Sequence, residues 1–273
     1  MKIAQIQMKV VSDKNKNIDR AVRYIEDAAK NNADLIMLPE MFSCPYETEQ
    51  FPIYAEKDGA HTWKMLSDAA KANHIYLIAG SIAERDADDT YNTSYVFDRD
   101  GTQIAKHRKM HLFDIDIKDG QTFKESDSLK SGDQVTCFDT EFGRFGLMIC
   151  FDIRFTELSR LMALDGAVAV FVPAAFNMTT GPAHWQLLFR ARALDNQSYY
   201  IGTSSARDMS SSYHSYGHSI ITSPWGDVIS MTDEKEQIIY STIDLKEVKD
   251  IREQLPILKS RRYDIYNLSK SII

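Results

Sequence analysis

The sequence predicts an α/β protein in which layers of helix pack on layers of sheet. Three observations predict it: short apolar runs typical of buried strands, segments with helical spacing between them, and an ordinary globular composition of 44% hydrophobic and 26% charged residues. The 273 residues suffice for one large domain or two tightly joined ones. Because no linker or low-complexity segment divides them, we expect a single domain over residues 1–273.

The first half of the chain alternates strand and helix. The polar residues 12–17 precede a stretch whose apolar side chains recur at helical spacing, and Pro39 and Glu40 close a continuous apolar run. The elements predicted from these patterns are, in order, a strand at 1–8, a helix to about residue 32, a strand at 34–38, a helix at 63–73, and strands at 75–80 and 91–97, with a turn at 98–101.

The second half repeats the pattern and then changes to hairpins. An apolar run stops at Cys150, and the turn residues 223–227 separate two short strands. The predicted elements are a strand ending before Cys150, a helix at 155–164, a strand at 167–172, a helix at about 182–195, a strand at 199–203, hairpin strands at 217–222, 228–231 and 238–243, and a helix at about 244–254.

The segment 105–130 has little periodicity and many charged side chains. We predict a long ordered loop, a kind of segment that is often functional inside a compact domain. His107 and His111 in it, with Asp114 and Asp116, have a spacing that suggests a metal site on one helix face. Because helical periodicity is missing, hydrogen bonding within an ordered loop is the better interpretation.

Charge and cysteine content limit the function classes. The net charge of −7 offers no broad basic surface for a nucleic-acid backbone, so we expect no nucleic-acid partner. The strand pattern begins at the first residues, without a long apolar segment or a cleavage-site pattern, so we expect neither an export signal nor a membrane association. Three cysteines, an odd number, indicate free thiols in a reducing compartment. We therefore expect a cytoplasmic protein.

Cys150 is the first candidate for chemistry. It stands between a predicted buried strand and a helix, and a turn of that kind lifts one side chain above the sheet edge and points backbone N–H groups at it. Such surroundings lower a thiol pKa and supply oxyanion donors. The alternative is a small buried apolar residue, the commoner role of a cysteine.

Glu40 and Lys109 are the other two candidates, at a strand end and in the charged segment. A cysteine nucleophile requires a base and a donor for the oxyanion, and a carboxylate with an ammonium group supplies both without histidine. Taken singly, a strand-end glutamate and a lysine in a basic run are usually solvated. Residue chemistry alone leaves the catalytic and structural interpretations equally weighted.

Three motifs then resemble the Glu, Lys and Cys signatures of the nitrilase superfamily, the carbon–nitrogen hydrolases, and their order and separation match. They are residues 38–42 (LPEMF), 107–114 (HRKMHLFD) and 146–155 (GLMICFDIRF). The similarity runs from the first strand to the last helix. The chain is most similar to the omega-amidase branch, through residues 42–46, 108–116, 175–185 and 190–197.

This resemblance implies a four-layer α-β-β-α sandwich and hydrolysis of a terminal amide through a cysteine thioester. Glu40 would act as general base, Lys109 and the backbone N–H near Phe151 would hold the oxyanion, and Glu125 would match a second family carboxylate that orients Lys109 or the substrate. A lysine flanked by two carboxylates stays charged where burial alone would neutralise it. No cofactor and no metal are implied.

Substrate-binding residues are implied by the same stretches. Arg154 would bind a substrate carboxylate in bidentate fashion, with Phe176 and Thr180 beside it and Tyr46 near the entrance. An ordinary salt bridge is the alternative role of Arg154. Small dicarboxylic acid monoamides, alpha-ketoglutaramate and alpha-ketosuccinamate, suit such a site. Alternatives are a deaminated glutathione amidase or another small-amide or N-carbamoyl hydrolase of the superfamily.

Two positions depart from the branch pattern: Glu47 replaces the common Gly, and Phe151 the common Tyr. Neither removes a catalytic group, but Glu47 adds negative charge near the expected mouth. Cys44 is a second thiol outside the motif, and a packing or pocket-wall role is expected for it. The resemblance also implies a homodimer or a higher homo-oligomer.

Overall fold

Two β-sheets stacked face to face form the centre of the computed structural model, which describes residues 1–58, 60–117 and 122–270. The helices are α1 (Lys14–Lys30), α2 (Phe51–Tyr54), α3 (Ala60–Asn73), α4 (Thr156–Leu164), α5 (Gly181–Asn196) and α6 (Lys246–Gln254). None of them, within these residues, is long and apolar enough to cross a membrane.

The first sheet contains eight strands in the described part of the chain. They are β1 (Lys2–Gln7), β2 (Leu35–Met37), β3 (Glu56–Lys57), β4 (Tyr76–Ile78), β5 (Ile82–Asp86), β6 (Asp89–Phe97), β7 (Gln103–Arg108) and β16 (Gln237–Thr242). Their order is β16-β1-β2-β4-β6-β5-β3, with β7 paired to β6. Strands β1, β2 and β4 run parallel.

The second sheet has the order β10-β11-β12-β13-β14-β15. Its strands are β10 (Thr136–Thr140), β11 (Gly143–Leu147), β12 (Ala169–Ala174), β13 (Tyr199–Ser204), β14 (Ile220–Thr222) and β15 (Val228–Met231), and a separate hairpin joins β8 (Asp114–Asp116) to β9 (Thr122–Lys124). Strands β11, β12 and β13 are parallel. Ligands commonly bind outside the carboxyl ends of such strands, and Glu40 and Cys150 both follow these ends.

Alternating side chains divide the apolar core into layers. Along β2, Leu35 and Met37 face the second sheet, whereas Ile36 packs with α1 and α3. Along β12, Phe171 faces the first sheet and Val170 packs with α4 and α5. Because every second strand residue points to the opposite face, each sheet is covered by helices on one side and by the other sheet on the other. The expected α-β-β-α sandwich is confirmed.

Most predicted elements are present within a few residues of the expected bounds, but the prediction for segment 105–130 was wrong in part. That segment is not a continuous loop: β7 continues through Arg108, and the β8–β9 hairpin and a 3₁₀ turn at Glu125–Asp127 follow. Strand β7 (QIAKHR) is mostly polar and only partly buried where it lies beside β6, so its sequence lacks an apolar run.

Candidate active site

Cys150 lies in a sharp turn between the second sheet and α4. Strand β11 ends at Leu147, and a 3₁₀ helix spans Cys150–Arg154 before α4 begins. The backbone of Cys150 has φ +46°, a left-handed conformation that side-chain-bearing residues rarely adopt. Such strain persists where the surrounding structure imposes it, often at functional sites. The expected seat above the sheet edge is therefore present.

The Cys150 thiol is buried, with 5% of the residue exposed, between an acid and a backbone donor. Burial raises its pKa well above the ordinary value, and the negative charge of Glu40 adds to this effect. The positive charge of Lys109 and a hydrogen bond from the backbone N–H of Ala175 act in the opposite direction. The resting group is a protonated thiol, so a neighbouring base must remove its proton before attack.

Lys109 follows β7 and is completely buried with its ammonium group between two carboxylates. Its Nζ donates to Oε1 of Glu40 at 2.9 Å and to Oε1 of Glu125 at 2.8 Å. Burial alone would lower the pKa of Lys109, but Glu125 and Glu40 raise it above its usual range. Lys109 is therefore a permanent cation at the active site.

Glu40 has only one of its carboxylate oxygens fully engaged. Oε1 accepts from Lys109, from Asn92 Nδ2 at 2.9 Å and from the Tyr46 hydroxyl at 3.1 Å, whereas buried Oε2 has no such partner among the described residues. Burial raises the pKa of Glu40, and the positive charge of Lys109 opposes this shift. Oε2 is thus the oxygen left for the thiol.

Tyr46 lies deeper than the entrance position expected for it. Its residue is 7% exposed, and its hydroxyl contacts Oε1 of Glu125 at 2.5 Å and Nζ of Lys109 at 3.3 Å as well as Glu40. Burial raises the pKa of the Tyr46 hydroxyl well above its ordinary value, and the negative charges of Glu125 and Glu40 raise it further. Tyr46 is therefore a neutral hydroxyl that connects the charged groups.

Asp152 joins the Cys150 turn to the Lys109 segment. Its Oδ2 accepts from the Ile149 backbone N–H and pairs with His107 Nε2, both at 3.0 Å, while Oδ1 pairs with His111 Nδ1 at 2.8 Å and accepts from the His111 N–H at 2.9 Å. Burial alone would raise the Asp152 pKa, but these bonds hold it well below its usual range. The two histidines bond within the site, as the sequence indicated.

Arg154, at the end of the 3₁₀ turn that begins at Cys150, has no acidic partner among the described residues. Its guanidinium lies 5.1 Å from the Phe176 ring and 5.5 Å from the Phe151 ring, and Nη1 donates to His184 Nδ1 at 3.2 Å. Within the described residues Arg154 forms no ion pair, and its buried Nε has no hydrogen-bond partner there. Burial lowers the pKa of Arg154, and the electrostatic effect of nearby Cys150 opposes this shift.

Phe176 and Thr180 follow β12 on the Arg154 side. Phe176 is 4% exposed and its ring packs on Trp185. The hydroxyl and the backbone N–H of Thr180 both donate to Asn177 Oδ1, at 2.9 and 2.8 Å, where α5 begins. Thr180 therefore stabilises the start of the helix, whereas Phe176 directly forms the surface next to Arg154.

Several contacts of the site have no signal in the sequence. Asn92 on β6 holds Glu40, the Ala175 backbone contacts the thiol, and His184 holds Arg154. Cys44 is buried, with Sγ 3.2 Å from the Pro45 carbonyl, and it lines a cavity with Glu40. In the part of the chain that the structure describes, no three His, Cys, Asp or Glu side chains are arranged to hold a metal.

Comparisons with known proteins show the family of this chain. The family model for carbon–nitrogen hydrolases matches residues 2–253. Omega-amidase NIT2 of Mus musculus is 49% identical over 98% of this chain and 97% of its own length, and hydrolase C26A3.11 of Schizosaccharomyces pombe is 47% identical over 97% and 83%.

Among solved structures, Nit3 of Saccharomyces cerevisiae, a member of branch 10 of the nitrilase superfamily, superposes with a TM-score of 0.89. It is 42% identical, and the match covers 96% of each chain. The sequence motifs, the layered fold and the full-length similarity all point the same way, and the chain belongs to the carbon–nitrogen hydrolase family of the nitrilase superfamily.

Proposed function

We propose that this protein hydrolyses the terminal amide of small dicarboxylic acid monoamides, of the type of alpha-ketoglutaramate and alpha-ketosuccinamate, and releases ammonia. The observation that carries this proposal is the arrangement around the Cys150 thiol: the Glu40–Lys109–Glu125 cluster acts on it, and so does Arg154, which pairs with no carboxylate among the described residues. The similarity to mouse omega-amidase over nearly the full chain supports the same activity.

In the first half of the reaction Glu40 takes the thiol proton as Sγ of Cys150 attacks the amide carbonyl carbon. The oxyanion lies between the Lys109 ammonium and the backbone N–H of Phe151. Glu40 then gives its proton to the amide nitrogen, the C–N bond breaks, and ammonia leaves a thioester behind. The raised pKa of Glu40 suits a group that must both accept and donate a proton.

In the second half a water molecule replaces ammonia beside Glu40. The carboxylate removes one proton from that water as its oxygen attacks the thioester carbon, and the C–S bond breaks. The proton on Glu40 returns to the sulfur, which restores the thiol and releases the carboxylic acid. Lys109 stays protonated throughout because Glu40 and Glu125 hold it as a cation.

The preference for a carboxylated substrate is assigned to Arg154. Its guanidinium lies over two aromatic rings and can present N–H groups to a carboxylate. A charged group left partly buried without an acid gains most when the ligand supplies one. A neutral amide or a simple nitrile would leave that charge uncompensated.

We further propose one domain over residues 1–273, a cytoplasmic location and a homodimer or larger homo-oligomer. The three cysteines are all free, which suits a reducing compartment. The exposed apolar side chains Leu187 (65%) and Leu194 (41%) stand two turns apart on one face of α5, and Gly226, the neighbour of exposed Trp225, lies against Leu194. A second copy that covers this face would bury it.

Ammonia release across a panel of amides tests the function. The panel contains alpha-ketoglutaramate, alpha-ketosuccinamate, deaminated glutathione, N-carbamoyl amino acids and simple nitriles, with Cys150→Ala as the blank. We expect kcat/KM for the two keto-acid monoamides to exceed that for the other compounds at least about 10-fold, the effect of one charged hydrogen bond. The substrate assignment would be contradicted if deaminated glutathione were turned over faster than the keto-acid monoamides, or if the protein hydrolysed none of the amides.

A further inference from the structure

The segment 207–216 between β13 and β14 forms a wall of the active site that nothing in the sequence motifs marks. It is fixed to the end of β12: Ser215 bridges to Asn177, and the Tyr216 N–H donates to the Phe176 carbonyl at 2.6 Å. Arg207 closes the segment on itself, with Nε 3.2 Å from the Ser215 carbonyl. The wall therefore has a defined conformation.

Tyr213 is the residue that reaches from this wall into the site. It is 8% exposed, and its ring centroid lies 4.6 Å from that of Tyr46 and 6.0 Å from that of Phe123. Its hydroxyl donates to the Ala175 carbonyl. Tyr213 therefore packs on the tyrosine that contacts Glu40 and Glu125. Burial raises the pKa of Tyr213 well above its ordinary value, so its hydroxyl stays neutral.

Ala175 connects this tyrosine to the nucleophile. Its carbonyl accepts from Tyr213, and its own N–H donates to the Cys150 thiol. The two groups belong to one residue at the carboxyl end of β12, so an anchor on the carbonyl limits the backbone rotations that would turn the N–H away. A donor held in place favours the thiolate over the thiol.

We propose that Tyr213 is a positioning residue for the nucleophile: its hydroxyl fixes the Ala175 backbone, and Ala175 in turn holds the Cys150 sulfur where Glu40 can deprotonate it. This assignment rests on the proposed function, because it gives the residue a part in the same thioester chemistry. The Tyr213 ring also packs on the Tyr46 ring, so the wall helps to hold the hydroxyl that contacts Glu40 and Glu125.

A bond between the wall and the Tyr46 segment supports the assignment. The hydroxyl of Ser212 donates to Glu47, the residue that follows Tyr46. Glu47 is also the position where this chain departs from the glycine common in its branch. In this protein the Glu47 side chain bonds Ser212, the neighbour of Tyr213. The wall is therefore bonded to the Tyr46 segment as well as to the end of β12.

The test compares Tyr213→Phe with wild type and with Tyr199→Phe. Tyr199 is the control, because its hydroxyl also contacts a backbone carbonyl, that of Asp244 at 3.0 Å, and the Glu247 carboxylate, away from Cys150. Two quantities are measured: kcat and KM for ammonia release, and the rate at which iodoacetamide alkylates Cys150 between pH 6 and 10, followed by mass spectrometry of the Cys150 peptide.

For Tyr213→Phe we expect kcat to fall about 10-fold to 100-fold, the usual consequence of a misplaced reacting group, while KM changes less than about 3-fold. The alkylation profile should move to higher pH because the thiolate loses a fixed donor. Tyr199→Phe should match wild type in both measurements.

An unchanged alkylation profile in Tyr213→Phe overturns the proposal, whatever happens to ammonia release. Should that variant melt too low to assay, Ser212→Ala decides: it frees the wall from Glu47 without altering the ring, and an unchanged profile there counts against the proposal equally. Alkylation needs no substrate, so it also separates this result from a failure of the proposed function, which would appear as wild-type protein that alkylates normally but releases no ammonia.

Discussion

The two cations of the active site are treated in opposite ways by the protein. The ammonium of Lys109 is fully buried and contacts two carboxylates and a tyrosine hydroxyl. The guanidinium of Arg154 contacts a histidine nitrogen and two aromatic rings, and it contacts no carboxylate among the described residues. The first is satisfied before the substrate arrives, and the second is left for the substrate to satisfy.

The difference follows from what each charge must do. An oxyanion forms and disappears within one turnover, so its counter-charge must already be in place, and a cation that is held by fixed partners needs no rearrangement. A substrate carboxylate is a lasting charge that arrives with the ligand. If the protein supplied an acid to Arg154 itself, that acid would compete with the substrate.

The largest effect should come from the satisfied cation. In Lys109→Met, Glu40 and Glu125 lose the cation that lies between them, and the oxyanion loses its positive charge, so we expect kcat to fall at least about 1,000-fold, as when an oxyanion donor is removed. We also expect a loss of about 3–5 kcal/mol in the free energy of unfolding, the usual cost of breaking a buried ion pair. Steady-state kinetics and urea unfolding measure the two.

A double variant separates the two losses. Lys109→Met with Glu125→Gln removes one of the uncompensated carboxylates, so part of the lost stability should return while activity remains absent. If the double variant were no more stable than Lys109→Met, the carboxylates would not be the cause of the destabilisation.

The sequence predicted the catalytic residues around Lys109 better than it predicted the elements that carry them. Glu40, Lys109 and Cys150 stand in three motifs, and the apolar runs before Glu40 and Cys150 gave the strands that end at one edge of the fold. The strand before Lys109 was missed because β7 is polar: its pairing with β6 comes from backbone hydrogen bonds across a flank, which leave no apolar pattern.

Other parts of the site could not be read from the sequence for physical reasons. The Ala175 contact with the thiol is made by a backbone N–H, and every residue except proline has one. Tyr213 lies in a serine-rich segment that is typical of an exposed loop, and only its tertiary placement against Tyr46 buries it. Tyr46 was placed too far out because a motif gives position along the chain, not depth.

The unsatisfied cation should give a smaller and selective effect. For Arg154→Met we expect kcat/KM for carboxylated amides to fall about 100-fold, mostly through KM, since a hydrogen-bonded charge pair contributes about 1.5–3 kcal/mol. Stability should change little because no ion pair is broken. The measurement is a comparison of alpha-ketoglutaramate with a neutral amide of similar length.

Arg154→Lys is the matched variant for this prediction. It keeps the charge but loses the planar pair of donors, so its loss should lie between those of wild type and Arg154→Met. Equal losses on carboxylated and neutral amides in either variant would remove the carboxylate-binding role of Arg154 and leave it as a packing residue.

The smallest effect is expected where the two regions are joined. Asp152 stands two residues from Cys150 and two from Arg154, and it bonds His107 and His111 on either side of Lys109. In Asp152→Asn an amide NH₂ faces groups that donate to the carboxylate, so we expect a loss of about 2–3 kcal/mol in stability. We expect a fall of about 10-fold in kcat, because Lys109 and Cys150 lose their common support.

The pH dependence identifies the cause of that loss. Because the folded-state pKa of Asp152 is depressed, its contribution to stability is fully present above the ordinary aspartate pKa of about 3.9 and is lost as pH falls toward the folded-state value. The stabilities of wild type and Asp152→Asn, measured by urea unfolding, should therefore differ at pH 7 and converge as the pH is lowered below about 4. A difference that stayed constant over this range would mean that Asp152 acts through shape alone, and the two cations would then be joined by packing and not by its charge.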